Sequence, residues 1–120
     1  LAVPIDRVPD LLKKIKEVCA EANLEWVAYG HAGDGNMHCT VIGPAADNWH
    51  EVLRGVQEKI YPAVISMGGT LSGEHGIGFK RKGDMKLFLD KKHLELIKRV
   101  KLAFDPDNIL NPGKLIEWDE

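Results

Sequence analysis

The stretch LEWVAYGHAGDGNMHCTVI, residues 24–42, decides how this chain folds. Residues 24–31 and 37–42 are both rich in strand-forming side chains, and the turn sequence GDGN separates them at 33–36. Two strand-like runs around an Asp-Gly pair are typical of a β-hairpin. The sequence therefore predicts an antiparallel pair of strands with a tight turn at its tip.

Helix and strand patterns alternate on both sides of this hairpin. Apolar side chains recur at helical spacing over residues 8–22 and 49–67, which predicts two helices. Short strands are predicted at residues 1–6 and in the first part of the glycine-rich segment 68–78. Asp47 is the predicted N-cap of the second helix, and Pro62 is expected to kink that helix or end it early.

The C-terminal part predicts two consecutive helices, 84–89 and 91–103, with Asp90 as the cap between them, and then an irregular tail at 104–115. The whole order of elements is typical of a split βαβ arrangement. We therefore predict an α+β fold: a ferredoxin-like sandwich with an antiparallel sheet and helices on one face, followed by two C-terminal helices and the tail. All 120 residues form a single domain in this prediction, with 84–120 as its helical C-terminal extension.

Composition excludes several classes of protein. The chain has 120 residues, of which 44% are hydrophobic and 28% are charged, which is typical of a globular domain and not of a disordered one. Sixteen basic against eighteen acidic residues give no electrostatic footprint for nucleic acid, and no apolar run approaches the roughly 20 residues of a membrane span. Two cysteines do not make a disulfide framework, so a reducing compartment, the cytoplasm, is expected.

Two histidines on the hairpin are candidate metal ligands. If Asp34-Gly35 forms a two-residue turn, His31 lies opposite His38 on the same face, with Cβ atoms roughly 4.5–5.5 Å apart. Glu74, in the glycine-rich segment, is the best candidate for a third ligand, while Asp34 at the turn tip points away from that face. Two imidazoles, one carboxylate and an open position suit Zn²⁺, Mn²⁺ or Fe²⁺.

The same residues allow a second interpretation, in which no metal is bound. His31 and His38 are then partly buried and hydrogen-bonded, and Asp34 caps the turn. Glu74 and His75 are neighbours on an extended segment, so their side chains are expected to point to opposite sides. One of these two residues could be a metal ligand and the other an acid–base group.

Three segments together resemble one known family. They read GHAGDGNMH at 30–38, SGEHGIG at 72–78 and FDPDNILNPGK at 104–114. In this order they are similar to the C-terminal region of the FAD-linked oxidases, a group that includes D-lactate dehydrogenase, the flavin subunit of glycolate oxidase and D-2-hydroxyglutarate dehydrogenase. The similarity covers nearly the whole chain.

The resemblance implies a C-terminal cap and substrate domain, which covers the substrate side of a flavin. In the metal-dependent members, the residues that match His31, His38 and Glu74 bind a divalent metal, commonly zinc. The residue that matches His75 is the catalytic base, and the residue that matches Asn111 lies close to the flavin. The tail is therefore expected to be flavin-proximal.

The implied activity is oxidation of a 2-hydroxy acid, of the D-lactate or glycolate type, to a 2-oxo acid with hydride transfer to FAD. FAD is expected to be bound mainly by a domain of the same polypeptide upstream of this region. Because no stretch here could hold FAD alone, the chain is expected to be a fragment that is inactive by itself. Thr40 stands where some relatives carry a substrate-contacting asparagine, which leaves the identity of the hydroxy acid open.

Further partners are implied by the same resemblance. They are an electron-acceptor protein or a quinone, which would hold a cytoplasmic enzyme at the periphery of a membrane. A homodimer of the fragment is a separate expectation, which a large uncovered apolar patch at the flavin-domain interface would favour. Two alternatives from other classes stay open. One is a stand-alone ferredoxin-like module that binds a metal or ligand without redox activity, and the other is a hydrolase in which Glu74 or His75 activates a metal-bound water.

Overall fold

The computed structural model describes residues 1–43 and 47–115. The chain consists of two compact units, Leu1–Glu74 and His75–Glu120. The regular elements are three α-helices, two β-strands and two 3₁₀ segments: α1 Val8–Glu21, β1 Glu25–His31, β2 Asn36–Ile42, α2 Trp49–Ser66, α3 Lys91–Phe104, and the 3₁₀ segments Ile5–Arg7 and Lys82–Leu87. The predicted extension 84–120 lies within the second unit, and its last five residues lie outside the described residues. Its role as a helical C-terminal extension with a flavin-proximal tail stays a prediction.

An antiparallel sheet forms the centre of the first unit. β1 pairs with β2, and Ala2 bridges to Asn36 on one side and to Thr70 on the other. The resulting order, Thr70, Ala2, β2, β1, is the strand order expected for a split βαβ unit, and the α+β prediction is confirmed. The predicted first and fourth strands are reduced to these bridging residues, because Pro4 cannot donate to a ladder and Gly68 has a φ of 77°.

Helices α1 and α2 pack together and supply most of the core of the first unit. Their apolar stripes are buried as the helical spacing predicts: Leu11, Ile15, Val18 and Cys19 from α1, and Val56, Ile60, Tyr61 and Val64 from α2. In the hairpin, burial alternates along β1, where Trp26 and Ala28 are partly buried while Val27 and Tyr29 are exposed. One face of the sheet is therefore left open to solvent.

Helix α2 differs from its prediction at both ends. Its N-cap is Asn48 and not Asp47, and no side chain caps it. The helix also continues through Pro62 to Ser66. Pro62 removes one intrahelical hydrogen bond, but Tyr61 and Val64 on either side of it are buried, and this packing favours an unbroken helix.

The hairpin turn is longer than predicted. The register pairs His31 with Asn36 and Tyr29 with His38, so four residues, 32–35, form the turn in place of the two predicted. The carboxylate of Asp34 accepts the backbone N–H of Asn36 at 3.0 Å, which favours this wider turn. Because the shift is two residues and side chains alternate with a period of two, every side chain stays on its predicted face.

Gly35 ties this turn to the first residues of the chain. Its carbonyl accepts the N–H of Val3 at 3.1 Å, its φ is +75°, and a Cβ built on it would lie 1.9 Å from the carbonyl oxygen of Val3. A side chain at this position is therefore excluded both by conformation and by space.

The second unit begins with irregular structure and then forms α3. The predicted helix at 84–89 is a 3₁₀ segment, Lys82–Leu87. Asp90 is the N-cap of α3 as predicted: its carboxylate accepts the N–H of His93 at 2.9 Å, and this bond lowers the pKa of Asp90. Helix α3 has no fully buried residue, and Leu96, Val100 and Phe104 are exposed along it.

The tail after α3 is irregular, as predicted, but it is anchored by one carboxylate. Asp105 is 4% exposed and accepts the N–H groups of Ile109 at 2.9 Å and Leu110 at 3.0 Å. Lys101 donates both to Asp105 and to the carbonyl of Leu110, and its bond is the main cause of a lowered pKa of Asp105. Nowhere in the described chain is a helix long and apolar enough to cross a membrane.

The Gly35–Val3 contact gives a test of the fold. Gly35→Ala is expected to lower the free energy of unfolding by about 2–3 kcal/mol, because it adds a strained left-handed residue and a backbone clash. Gly33→Ala is the matched control, since no atom lies within 4 Å of a Cβ at Gly33. Chemical denaturation followed by circular dichroism measures both variants. Equal stabilities of the two variants would contradict the close contact between Gly35 and Val3.

Candidate metal centre

Three side chains of the first unit meet on the open face of the sheet. Glu74 Oε1 lies 3.0 Å from His38 Nε2, and Glu74 Oε2 lies 3.7 Å from His31 Nε2. One ligand atom from each residue can be chosen so that all three lie within 4.8 Å of one another. The structure therefore brings together the three side chains that the sequence analysis predicts as metal ligands.

The hairpin places the two histidines. His31 is the last residue of β1, and His38 lies on β2 opposite Tyr29, so the histidines are diagonal neighbours and not the directly opposed pair that was predicted. Diagonal positions on one face remain within reach of long side chains. The two imidazole rings have their centroids 6.0 Å apart and meet edge to face.

A close backbone approach places Glu74. The side chain of Asn36 is buried, and a Cβ built on Gly73 would lie 2.3 Å from its Oδ1 atom. Only a glycine lets the chain pass this close to Asn36. Glu74 follows at the next position, so its carboxylate is brought to the same end of the hairpin as His31 and His38.

The donor set and its spacing fit a divalent cation. Around a tetrahedral zinc with bonds of about 2.0–2.2 Å, neighbouring ligand atoms lie roughly 3.3–3.5 Å apart. One ligand atom from each of the three residues lies within 4.8 Å of the other two, so small side-chain rotations bring them to this spacing. Two imidazole nitrogens and one carboxylate also suit Mn²⁺ or Fe²⁺. The side chains of His31, Glu74 and His38 are 60%, 41% and 25% exposed, so a fourth ligand has access from solvent.

Two neighbouring side chains, Asp34 and Cys39, are of types that bind metals. The Asp34 carboxylate accepts the N–H of Asn36, which is the turn-capping role that the interpretation without a metal gives it. Cys39 follows His38 on β2 and therefore points to the opposite face of the sheet. Burial also raises the pKa of the Cys39 thiol to about 11.

The other two predicted site residues belong to the second unit. His75 directly follows Glu74 along the chain and is exposed. Asn111 is exposed in the tail, has a φ of 49°, and its carbonyl accepts the N–H of Lys114 at 3.3 Å. Their roles as catalytic base and flavin contact stay predictions.

Sequence reasoning missed the direct neighbour of His38. The rings of Tyr29 and His38 stack with centroids 5.2 Å apart and planes inclined at 29°. The two-residue turn pairs Tyr29 with Thr40 instead, and only the wider turn brings its ring against the imidazole. The Asp34 side chain, a residue type that commonly bonds to the backbone two residues on, is the feature that could have indicated this turn.

Comparison with known proteins adds an independent line of argument. The profile of the family described as "FAD linked oxidases, C-terminal domain" matches residues 1–115. Glycolate oxidase subunit GlcD of Bacillus subtilis is 37% identical over 119 residues, which cover 98% of this chain and 25% of that relative. D-lactate dehydrogenase of Archaeoglobus fulgidus is 34% identical over 114 residues, which cover 95% of this chain and 25% of the relative.

A third relative is a dehydrogenase of a different hydroxy acid. D-2-hydroxyglutarate dehydrogenase of Stutzerimonas stutzeri is 32% identical over 120 residues, which cover 96% of this chain and 26% of the relative. The chain thus spans about a quarter of the length of the curated relatives that it matches.

The ligand set gives a direct test. His31→Ala and His38→Ala are each expected to abolish stoichiometric binding of Zn²⁺, because two remaining side chains do not form a site that holds the ion. His50→Ala is the control, since His50 is an exposed histidine of α2 outside the cluster. Isothermal titration calorimetry and metal analysis of the purified chain give the stoichiometry, and unchanged metal content in either His31→Ala or His38→Ala would remove that residue from the site.

Proposed function

The chain belongs to the FAD-linked oxidase C-terminal domain family, and from this we propose that it is the substrate- and metal-binding part of an FAD-dependent 2-hydroxy-acid dehydrogenase. The observation that carries the proposal is the convergence of His31, His38 and Glu74 on an open sheet face. Three protein ligands with one open side are the arrangement that catalytic metal sites use, whereas structural sites are closed by four.

The three ligands have defined tasks in this proposal. His31 and His38 present neutral imidazole nitrogens, and Glu74 supplies a carboxylate that balances part of the charge of a divalent cation such as Zn²⁺. When bound, the cation supplies Lewis-acid polarisation of the hydroxyl and carboxylate oxygens of a 2-hydroxy acid. The exposed side of the cluster is where this substrate enters.

His75 is the proposed general base. It takes the proton of the substrate hydroxyl while hydride leaves C2, so the 2-hydroxy acid loses two electrons and two hydrogens and becomes a 2-oxo acid. FAD, bound mainly by a domain outside this chain, supplies the acceptor for that hydride. Asn111 and the anchored tail lie near the flavin in this proposal, and the chain is inactive without the FAD-binding domain.

The sheet face next to the cluster favours a small uncharged substituent on the substrate. Beyond the Tyr29–His38 pair, the next pair on the same face is Val27 and Thr40, and both are exposed and uncharged. A second carboxylate, as in 2-hydroxyglutarate, would meet no cation at this pair. The hairpin therefore supports a substrate of the D-lactate or glycolate type.

The natural protein gives the first test of this function. The intact mass and visible spectrum of the protein purified from its source are expected to reveal a chain several times longer than 120 residues with flavin absorption, which oxidises D-lactate or glycolate with an artificial electron acceptor. A colourless protein of about the 13.4 kDa of this chain would contradict the proposal. That result would favour the alternative, a metal- or ligand-binding module without redox activity.

A substitution tests the role of His75 separately. In the full-length enzyme, His75→Ala is expected to lower turnover by roughly 10²–10⁴-fold, because the hydroxyl proton loses its acceptor. Metal content is expected to stay at the wild-type value, since His75 is not among the three ligands. His50→Ala is again the control, and near-normal turnover of His75→Ala would remove this residue from the mechanism.

A further inference from the structure

An exposed tyrosine adjoins the ligand cluster, and no other part of the proposed site uses it. The side chain of Tyr29 is 61% exposed, and its ring stacks on His38 with centroids 5.2 Å apart and planes inclined at 29°. Removing a ring so exposed would change little in the core. We infer that Tyr29 is a positioning residue, which holds the His38 imidazole in the orientation that binds metal; the inference rests on the proposed metal centre.

The register of the hairpin imposes this contact. Tyr29 and His38 are directly opposed on β1 and β2, so their Cβ atoms are held close by the sheet itself. The torsion about the bond to a histidine ring has broad minima, so the groups packed against the ring set its orientation. The stacked phenol ring restricts this rotation and favours the conformer in which Nε2 points at Glu74, 3.0 Å away.

His31 offers an internal comparison. Its ring meets His38 at its edge, its side chain is 60% exposed, and its Nε2 atom lies 3.7 Å from Glu74. His38 is 25% exposed and makes the shorter contact. The less exposed ligand, with the shorter contact to Glu74, is thus the one against which Tyr29 stacks. A preorganised ligand loses less conformational entropy when it binds a cation.

The experiment measures Zn²⁺ affinity of the 120-residue chain by competition with a chromophoric chelator. Tyr29→Leu is expected to bind Zn²⁺ about tenfold more weakly than the wild type, the lower end of the roughly 10–100-fold that is lost with an outer partner that orients a ligand. Tyr29→Phe keeps the ring and is expected to bind Zn²⁺ with wild-type affinity. Ile42→Ala, which removes exposed apolar surface at the far end of the same face, is expected to have no effect.

Two further measurements separate positioning from a general loss of structure. The melting temperatures of the metal-free variants are expected to match the wild type, and the ring proton resonances of His38 are expected to shift in Tyr29→Leu but not in Ile42→Ala. If Tyr29→Leu does not fold, Tyr29→Thr, which keeps a strand-forming residue, replaces it with the same expected loss.

Each outcome decides the inference. Wild-type affinity in Tyr29→Leu, or a loss in Tyr29→Phe equal to that in Tyr29→Leu, would overturn it while the metal centre stands. A wild-type chain that binds no Zn²⁺ would overturn the metal centre and the inference together.

Discussion

The first unit depends on one crowded point where three segments of chain meet around Asn36. This residue pairs with the end of β1, bridges to Ala2, and places its buried side chain against Gly73. Its own N–H is taken by the Asp34 carboxylate in the turn. Two glycines near Asn36 have no room for a side chain. A Cβ on Gly35 would collide with Val3, and a Cβ on Gly73 would collide with Asn36 itself. Close packing thus explains one glycine of each motif, Gly35 and Gly73.

This packing turns two distant motifs into one site. His31 and His38 flank Asn36 on the hairpin, and Glu74 follows the glycine that contacts it. The ligands converge on the sheet face that α1 and α2 leave uncovered, so the proposed centre is accessible to a small substrate. The opposite face carries Cys39, whose thiol pKa is raised by burial, so the pleat of the sheet separates the two kinds of metal-binding side chain.

Periodicity and motif spacing predicted much of this arrangement from the sequence. The helical stripes of α1 and α2, the Asp90 cap and the grouping of the three ligand candidates follow from local rules. The pairing register of β1 and β2 was not predicted correctly, because the Asp34 side chain favours a wider turn than the two-residue turn expected for an Asp-Gly pair. The error moved the pairing by two residues, which preserves the face of every side chain, whereas an error of one would have separated His31 from His38. The Tyr29–His38 stack and the reduction of the first and fourth strands to single bridges depend on tertiary packing, which no local pattern encodes.

The position of a bound cation is the central claim, and anomalous diffraction tests it most directly. Crystals of the chain soaked in Zn²⁺ and measured on both sides of the zinc absorption edge are predicted to give one strong anomalous peak. It lies within bonding distance, roughly 2.0–2.2 Å, of His31 Nε2, His38 Nε2 and a carboxylate oxygen of Glu74. A peak elsewhere on the chain, at the exposed His50 or His93 for example, or no peak at the cluster, would contradict the account.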